Sequence, residues 1–331
     1  MTILVIGLGS MGKRRIRLIK KYNTDFEIIG VDTSSERREQ CSNEYGIISF
    51  ACMDEALVSK KADCAFVCTS PLSHSKIITY CLENNLQVFT ELNLVDDGYD
   101  ENIRLAEEKQ LVLFLSSTFL YRKEILKIKE LCDSQKAPFN YVYHVGQYLP
   151  DWHPWESYNN FFVGDKRTNG CREIFAIEMP WIINTFSSVV NYNVISSKMT
   201  DLNIDYNDNY IVMLEHENGS KGTLIVDIVS RKAVRNLEVL SENLYLNWDG
   251  SPTGLYQYDT AEKKSNNIQL YDNIYQLKDY SSFVVENAYY DEIVAFFDAV
   301  TKNKTPLYSF EKDRETLNVI NKIEGINENT L

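Results

Sequence analysis

Short apolar runs alternate with amphipathic stretches along the first 115 or so residues. The runs are Ile3 to Ile6, Glu27 to Val31, Ile47 to Phe50, Cys64 to Cys68, Gln87 to Thr90 and Leu111 to Leu115. Each is too short for a helix and too uniformly apolar for a strand with one wet face. Between them, Ser10 to Lys21, Ser35 to Tyr45, Asp54 to Lys60, His74 to Asn84 and Asp96 to Lys109 carry helical spacing. This alternation predicts a doubly wound parallel α/β sheet buried on both faces, with its ligand at the carboxyl ends of the strands. After Arg122 the period changes. A helix at Lys123 to Ser134 leads into an alternating strand, Tyr141 to Tyr148. An irregular aromatic stretch follows from Leu149 to Val163, then a helix from Glu173 to Ser187. Alternating segments recur at Tyr210 to His216, Gly222 to Val229, Leu237 to Leu240, Leu244 to Trp248 and Thr253 to Tyr258. Helices at Val284 to Lys302 and Glu311 to Glu324 close the chain. The second half therefore reads as an α+β domain whose large, mostly antiparallel, open sheet has one covered face. The division predicted is 1–120 for a nucleotide domain and 121–331 for a substrate-binding and oligomerisation domain, with the last helices returning to the first.

The turn after the first strand carries the chemistry. Gly7-Leu8-Gly9-Ser10-Met11-Gly12 places G-x-G-x-x-G between a strand and a helix. In that setting Gly7 makes the tight turn, Gly9 admits a pyrophosphate to the backbone and Gly12 lets the helix pack closely; Ser10 and Met11 begin the helix whose N-terminus faces the phosphates. The second strand ends on Asp32, where a carboxylate meets a ribose 2′-hydroxyl. Such a carboxylate repels a 2′-phosphate, so NAD is expected over NADP. Arg37 and Arg38 lie near enough to weaken that preference, unless they are ordinary solvated helix charges.

Composition narrows the partners. At 331 residues, 44% hydrophobic and 24% charged, the chain has the makeup of a globular protein with two cores. A net charge of −13 argues against nucleic acid or an anionic membrane as a partner. Seven cysteines without a C-x-x-C pair read as free thiols of a reducing compartment. Neither a secretory signal nor an apolar run of membrane-spanning length is visible, so a cytoplasmic location is expected. The four histidines show no metal-ligand spacing, and no G-x-S-x-G supports a serine nucleophile.

Together with the glycine motif, three further landmarks resemble the glucose-fructose oxidoreductase, inositol dehydrogenase and MocA (Gfo/Idh/MocA) family over nearly the whole chain. They are Thr69-Ser70-Pro71-Leu72-Ser73-His74, Thr90-Glu91-Leu92-Asn93, and Tyr290-Asp291-Glu292-Ile293-Val294-Ala295-Phe296-Phe297. The resemblance implies a Rossmann domain followed by an α/β domain whose open sheet makes a homodimer or homotetramer. It implies that Thr69, Pro71 and His74 border the nicotinamide side of the cofactor and that Glu91 contacts its ribose. For Thr69 to His74 the plainer alternative is a helix start with Ser70 as cap and Pro71 at the first position; for Glu91 it is an exposed loop charge. The match fails at residue 92. Where the family usually carries Glu-Lys-Pro, this chain has Glu91-Leu92-Asn93, and leucine can neither donate nor accept a proton.

The substrate motif departs too. Counting from Gly170, Ile174 takes the position of the family's aspartate and Glu178 that of its histidine. Glu178 is a candidate acid or base if partly buried, or else one half of an ion pair with Arg172 or another cation. Arg172 is a candidate anchor for an anionic group, Glu173 a second substrate-binding residue, and Pro180 a kink. The stretch Tyr148-Leu149-Pro150-Asp151-Trp152-His153-Pro154-Trp155-Glu156-Ser157-Tyr158 offers flat rings with polar edges, which suits a sugar. Within it Trp152 is a substrate candidate and His153 a catalytic one; the alternative is a packed loop. The leading expectation is an NAD(P)-dependent oxidoreductase acting on a sugar or sugar derivative of surface-glycan or nucleotide-sugar biosynthesis. An NAD-retaining lyase or glycosidase that oxidises its sugar transiently, and a non-catalytic NAD-binding sensor, are the rivals.

Overall fold

In the computed structural model, which describes residues 1–135, 137–152, 156–277, 281 and 283–326, the six apolar runs become six parallel strands. These are β1 (Thr2–Ile6), β2 (Glu27–Val31), β3 (Ile48–Phe50), β4 (Cys64–Val67), β5 (Gln87–Thr90) and β6 (Leu113–Leu115), in the order β3-β2-β1-β4-β5-β6. Central β4 is buried at every position, whereas edge strand β3 is exposed or half-buried. That difference is why the central runs lack polar alternation. Helices α1 (Ser10–Tyr22), α2 (Ser35–Tyr45), α3 (Met53–Ser59), α4 (His74–Glu83) and α5 (Tyr99–Lys109) connect them. The expected α5 start at Asp96 moves to Tyr99, because Gly98 stands before it in the left-handed region at φ 70°.

The chain divides into two compact units, Met1–Ser117 with Tyr289–Arg314, and Thr118–Ala288 with Glu315–Leu331. In the first, Phe66, Phe89 and Phe114 sit in register across β4, β5 and β6 with ring centroids 4.8 and 5.1 Å apart. Phe296 covers them edge-on at 5.1 to 5.9 Å. Each such ring pair adds about 0.5–1.5 kcal/mol beyond area burial. Together they fix the carboxyl ends of the strands to the closing helical segment of the same unit.

The second unit holds α6 (Lys123–Asp133), β7 (Asn140–Gly146), α7 (Gly170–Phe186), β8 (Val189–Ser197), β9 (Asn209–His216), β10 (Lys221–Asp227), β11 (Val234–Leu240), β12 (Tyr245–Trp248), β13 (Leu255–Asp259) and β14 (Lys264–Asn267). The strands form one sheet in the order β14-β13-β12-β11-β7-β10-β9-β8. All neighbouring pairs are antiparallel except β7 with β10, which run parallel. Burial alternates along β9, and α7 packs on β9 and β10. Strands β8 and β14 carry no alternating apolar signal: β8 is exposed or half-buried throughout, and β14 reads Lys-Ser-Asn-Asn. Helix α7 begins earlier than expected, because Asn169 caps it by accepting from the Arg172 N–H at 2.8 Å. It runs through Pro180 to Phe186, so Pro180 does not end it. Helices α8 (Glu286–Lys302) and α9 (Phe310–Glu324) complete the chain.

Candidate functional site

The order of strands reverses between β1 and β4, and the glycine turn lies at that point. Gly7 has φ +89°, donates its N–H to the Val31 carbonyl at 2.8 Å, and would put a Cβ 2.6 Å from the Cys68 carbonyl oxygen. A Cβ on Gly12 would lie 1.9 Å from the Gly7 carbonyl oxygen. Gly9 is different, since its Cβ would meet only Arg37 Nη1, at 3.9 Å. Two glycines thus close the turn and the third leaves its outer side open. No side chain caps α1, and its first turn carries no acidic residue. A helix start so arranged fits the pyrophosphate of a dinucleotide.

Asp32 closes the other side. Its Oδ2 accepts from the Leu8 N–H and its Oδ1 from the Ser34 N–H, both at 2.8 Å, so the carboxylate ties the glycine turn to the end of β2. Arg37 Nη1 stands 3.8 Å from it on a side chain more than half exposed. Arg38 Nη1 instead donates to the carbonyls of Asp32 and Thr33. One arginine therefore remains an outward charge and the other holds backbone.

On the β4–β5 side, Thr69 Oγ1 pairs with Ser73 Oγ at 2.8 Å, and Pro71 opens a short 3₁₀ turn, Pro71–Ser73. Ser70 precedes it without a side-chain capping bond. His74 is buried. Its Nε2 lies 2.9 Å from the Thr69 carbonyl and its Nδ1 2.7 Å from Asn93 Oδ1, while Asn93 Nδ2 donates to Tyr99 OH at 2.9 Å. Tyr99 OH and Tyr308 OH both donate to Asp313. Asn93 thereby links the Thr69 loop to the closing segment of this unit, a bond that a proline there could not make. Burial holds the His74 pKa below its ordinary value.

Glu91 is no exposed loop charge. It follows β5 directly and is buried, with Oε1 2.6 Å from Arg15 Nε and Oε2 3.0 Å from Arg15 Nη2. The same Nη2 reaches Ser116 Oγ and Glu292 Oε2, and Glu292 also accepts from the Ser116 hydroxyl and the Ser117 N–H. Burial alone would lower the Arg15 pKa, but the charges of Glu91 and Glu292 more than reverse this and raise it. The adjacent Cys68 thiol is pushed well up by burial and by Glu91. The sequence reading missed Arg15. Its signal was a charge on the apolar stripe of α1, one residue before Ile16 and four before Ile19.

In the second unit, Glu178 is fully buried and accepts four donors. Tyr143 OH and Trp181 Nε1 lie 2.7 Å from Oε2; Arg235 Nη2 and Nε lie 2.6 and 3.2 Å from Oε1. Of the two roles the sequence left open for Glu178, an acid or base and one half of an ion pair, the geometry shows the ion pair, with Arg235 as its cation. Arg172 is corrected. Its Nη1 pairs with Glu324 and its Nη2 donates to Asn321 Oδ1 at 2.7 Å, and its guanidinium is almost wholly buried. An internal carboxylate, rather than an anionic ligand, takes its charge. Trp152 donates from Nε1 to the Gln147 carbonyl at 3.0 Å and is half-buried. His153 lies outside the described residues. Glu173, in the first turn of α7, is half-buried, and its Oε2 is buried without a hydrogen-bond partner. Burial raises its pKa to about 7.

Residues 1–117 match the model of an oxidoreductase family with an NAD-binding Rossmann fold. No curated protein sequence matches the chain. Among solved structures, an oxidoreductase from Agrobacterium radiobacter in complex with NAD+, L-tartaric acid and magnesium is similar at TM-score 0.82 and 12% identity, over 98% of this chain and 96% of that one. Myo-inositol 2-dehydrogenase from Lactobacillus plantarum is similar at TM-score 0.78 and 15% identity, over 98% and 96%. UDP-N-acetylglucosamine 3-dehydrogenase from Acidithiobacillus ferrooxidans is similar at TM-score 0.73 and 15% identity, over 100% and 98%. At these identities the likeness is one of fold, extending over both units. With the nucleotide cradle at Gly7–Gly12, residues 1–117 match the NAD-binding Rossmann domain of the Gfo/Idh/MocA oxidoreductase family.

Proposed function

We propose that this protein interconverts a secondary hydroxyl and a carbonyl on a sugar or sugar derivative, with NAD preferred over NADP. The observation that carries the reading is the cradle itself. Gly9 is left open on its outer side, no acidic residue stands in the first turn of α1, and Asp32 is fixed beside the glycine turn by the Leu8 N–H. A nicotinamide dinucleotide supplies hydride exchange when bound. The chain's own part is to hold Thr69 and Pro71 in a bonded turn and Glu91 in a buried pair at the ends of β4 and β5. The sugar assignment is supported by relatives in fold that are named for a cyclitol and for a nucleotide sugar, and by the aromatic stretch containing Trp152. A cytoplasmic role in surface-glycan or nucleotide-sugar synthesis follows from that substrate class; no helix among the described residues is long and apolar enough to cross a membrane.

A homo-oligomer is part of the same reading. On the face of the large sheet opposite α7, register aligns Asn193, Met213, Thr223 and Val142 in one row and Ile195, Ile211, Ile225 and His144 in the next. Ile195 is 70% exposed, Met213 53% and Ile211 40%, a patch that suits a second copy of the chain.

A second reading is an NAD-retaining lyase or glycosidase, in which the sugar is oxidised transiently and the dinucleotide shows no net turnover. One experiment separates the two. Purified protein is titrated with NAD and NADP, then given a panel of sugars, uronic acids and nucleotide sugars while the nicotinamide absorbance is followed and products are resolved by mass. Net NADH formation or consumption supports the dehydrogenase; release of an aglycone without it supports the lyase. Tight NAD binding with neither product sinks both and leaves the sensor.

A further inference from the structure

Several cations surround the glycine turn and the end of β2, and their engagement differs. Lys13 Nζ donates to Gln40 Oε1 at 3.1 Å, Arg15 is held by Glu91 and Glu292, and Arg38 Nη1 donates to the carbonyls of Asp32 and Thr33. Arg37 is placed otherwise. Its backbone N–H bonds Ser34 Oγ at the start of α2, which fixes where the side chain leaves the helix. That side chain is 54% exposed, and among the described residues its guanidinium has one ionic neighbour, Asp32 Oδ2 at 3.8 Å, and no hydrogen bond. Its Nη1 is also the nearest atom, chain neighbours aside, to where a Cβ on Gly9 would stand, at 3.9 Å. One atom therefore borders both the open side of Gly9 and the carboxylate of Asp32.

Charge decides what can be bound between them. An isolated carboxylate at the end of β2 repels a 2′-phosphate, which is the reason to expect NAD. Asp32 is not isolated. The Leu8 and Ser34 N–H groups lie 2.8 Å from its two oxygens, and the guanidinium of Arg37 offsets its charge from outside. Glu36, the acidic residue in the first turn of α2, accepts from Gln40 Nε2 at 3.2 Å. The donors of Arg37 thus face solvent beside the place proposed for the adenosine ribose, and a guanidinium presents them as a planar fork that fits phosphate oxygens. Arg38, turned to backbone, has no such role.

Resting on the cofactor reading above, we infer that Arg37 is the residue that sets the choice between NAD and NADP: it offsets Asp32 and donates to a 2′-phosphate, so that the cradle accepts NADP with NAD still ahead. Asp32 favours the free 2′-hydroxyl and Arg37 the phosphate. Replacing one must therefore move the ratio of the two affinities in the opposite direction to replacing the other.

The test uses the full chain, as wild type and with Arg37→Gln, Arg37→Lys and Asp32→Asn, and reads dissociation constants by fluorescence titration or calorimetry. NAD against NADP gives the choice in the whole cofactor. AMP against adenosine 2′,5′-bisphosphate, which differ only in the 2′-phosphate, isolates the contact. Wild type is expected to bind both dinucleotides, NAD more tightly. A charge-assisted contact is worth about 10- to 150-fold in affinity, so Arg37→Gln should raise the NADP-to-NAD ratio of dissociation constants, and the bisphosphate-to-AMP ratio, by that factor. Arg37→Lys should raise both by less, and Asp32→Asn should lower both. Wild type that binds NAD and not NADP, or a ratio that Arg37→Gln leaves within about twofold, overturns the assignment; equal loss on both members of a pair is such a case, and would give Arg37 to the shared phosphates. If wild type binds NADP more tightly than NAD and Arg37→Gln reverses the order, the assignment holds and the NAD preference proposed above falls. If wild type binds neither dinucleotide, the cradle reading falls and the role of Arg37 with it.

Discussion

Alanine at Gly9 and alanine at Gly12 should have opposite effects on stability, although both lie in the same six-residue turn. At Gly12 the added Cβ stands 1.9 Å from the Gly7 carbonyl oxygen and 3.0 Å from its carbon. Relief requires a shift of more than about 1 Å to reach ordinary contact. Gly7 cannot give way easily, because its N–H is bonded to Val31 and its own Cα faces the Cys68 carbonyl. Overpacking against fixed backbone costs about 1–3 kcal/mol or more, so Gly12→Ala should lose stability and dinucleotide binding together. At Gly9 the Cβ meets nothing nearer than Arg37 Nη1 at 3.9 Å, and the backbone, at φ −75° and ψ −159°, is open to alanine. Restricting the unfolded chain there should stabilise by about 0.4–1 kcal/mol. The same methyl occupies the side from which a pyrophosphate approaches. If it costs the bound state about 1–3 kcal/mol, NAD affinity falls by about 5- to 150-fold. Urea denaturation and fluorescence titration of both variants check this. A Gly9→Ala protein that binds NAD as tightly as wild type would refute the placement of the phosphates at α1.

Three further outcomes follow from the buried charges and the bare sheet face. Arg15→Met leaves Glu91 and Glu292 without the cation they share and should cost about 3–5 kcal/mol in urea denaturation, a loss below about 1 kcal/mol counting against the network. Glu173 binds a proton more tightly folded than unfolded, so its stabilising effect is present below pH 4.5 and is lost as pH rises to about 7. That shift from 4.5 to about 7 corresponds to at most about 3 kcal/mol, so Glu173→Gln should match wild type in stability at acid pH and exceed it above neutral pH. Stability curves that stay parallel across that range would contradict it. Replacing Ile211 and Met213 together by Glu should lower the mass seen by light scattering without loss of NAD binding, whereas an unchanged mass would exclude this face as the oligomer contact.

The nucleotide half was legible because its signals are local. A strand buried on both faces must be apolar throughout, and a turn in which a Cβ on Gly12 would lie 1.9 Å from the Gly7 carbonyl oxygen tolerates no side chain, so both constraints appear as residues in a row. The edge strands β8 and β14 face solvent and bear no pattern to read. The ion pairs were hidden for another reason. Arg15 meets Glu292 across 277 residues, Arg172 meets Glu324 across 152, and Arg235 meets Glu178 across 57, distances over which no periodicity carries information. In the sequence Arg172 therefore reads as a substrate anchor and Glu178 as an acid or base or an ion-pair partner; in the fold each is held in an internal pair.

The departure at Leu92-Asn93 makes sense once the two positions are separated. Asn93 is buried and joins His74 to Tyr99, and through Tyr99 to Asp313, so it ties the Thr69 turn to the closing segment of its unit. Leu92 ends any proton chemistry at its own position, yet Glu91 beside it is held by both arms of the Arg15 guanidinium. Position 92 thus carries no proton donor, while the scaffold on either side of it is held through Glu91 and Asn93. If hydride chemistry has been kept, its proton must be handled elsewhere, by a carboxyl or imidazole not already consumed in an ion pair.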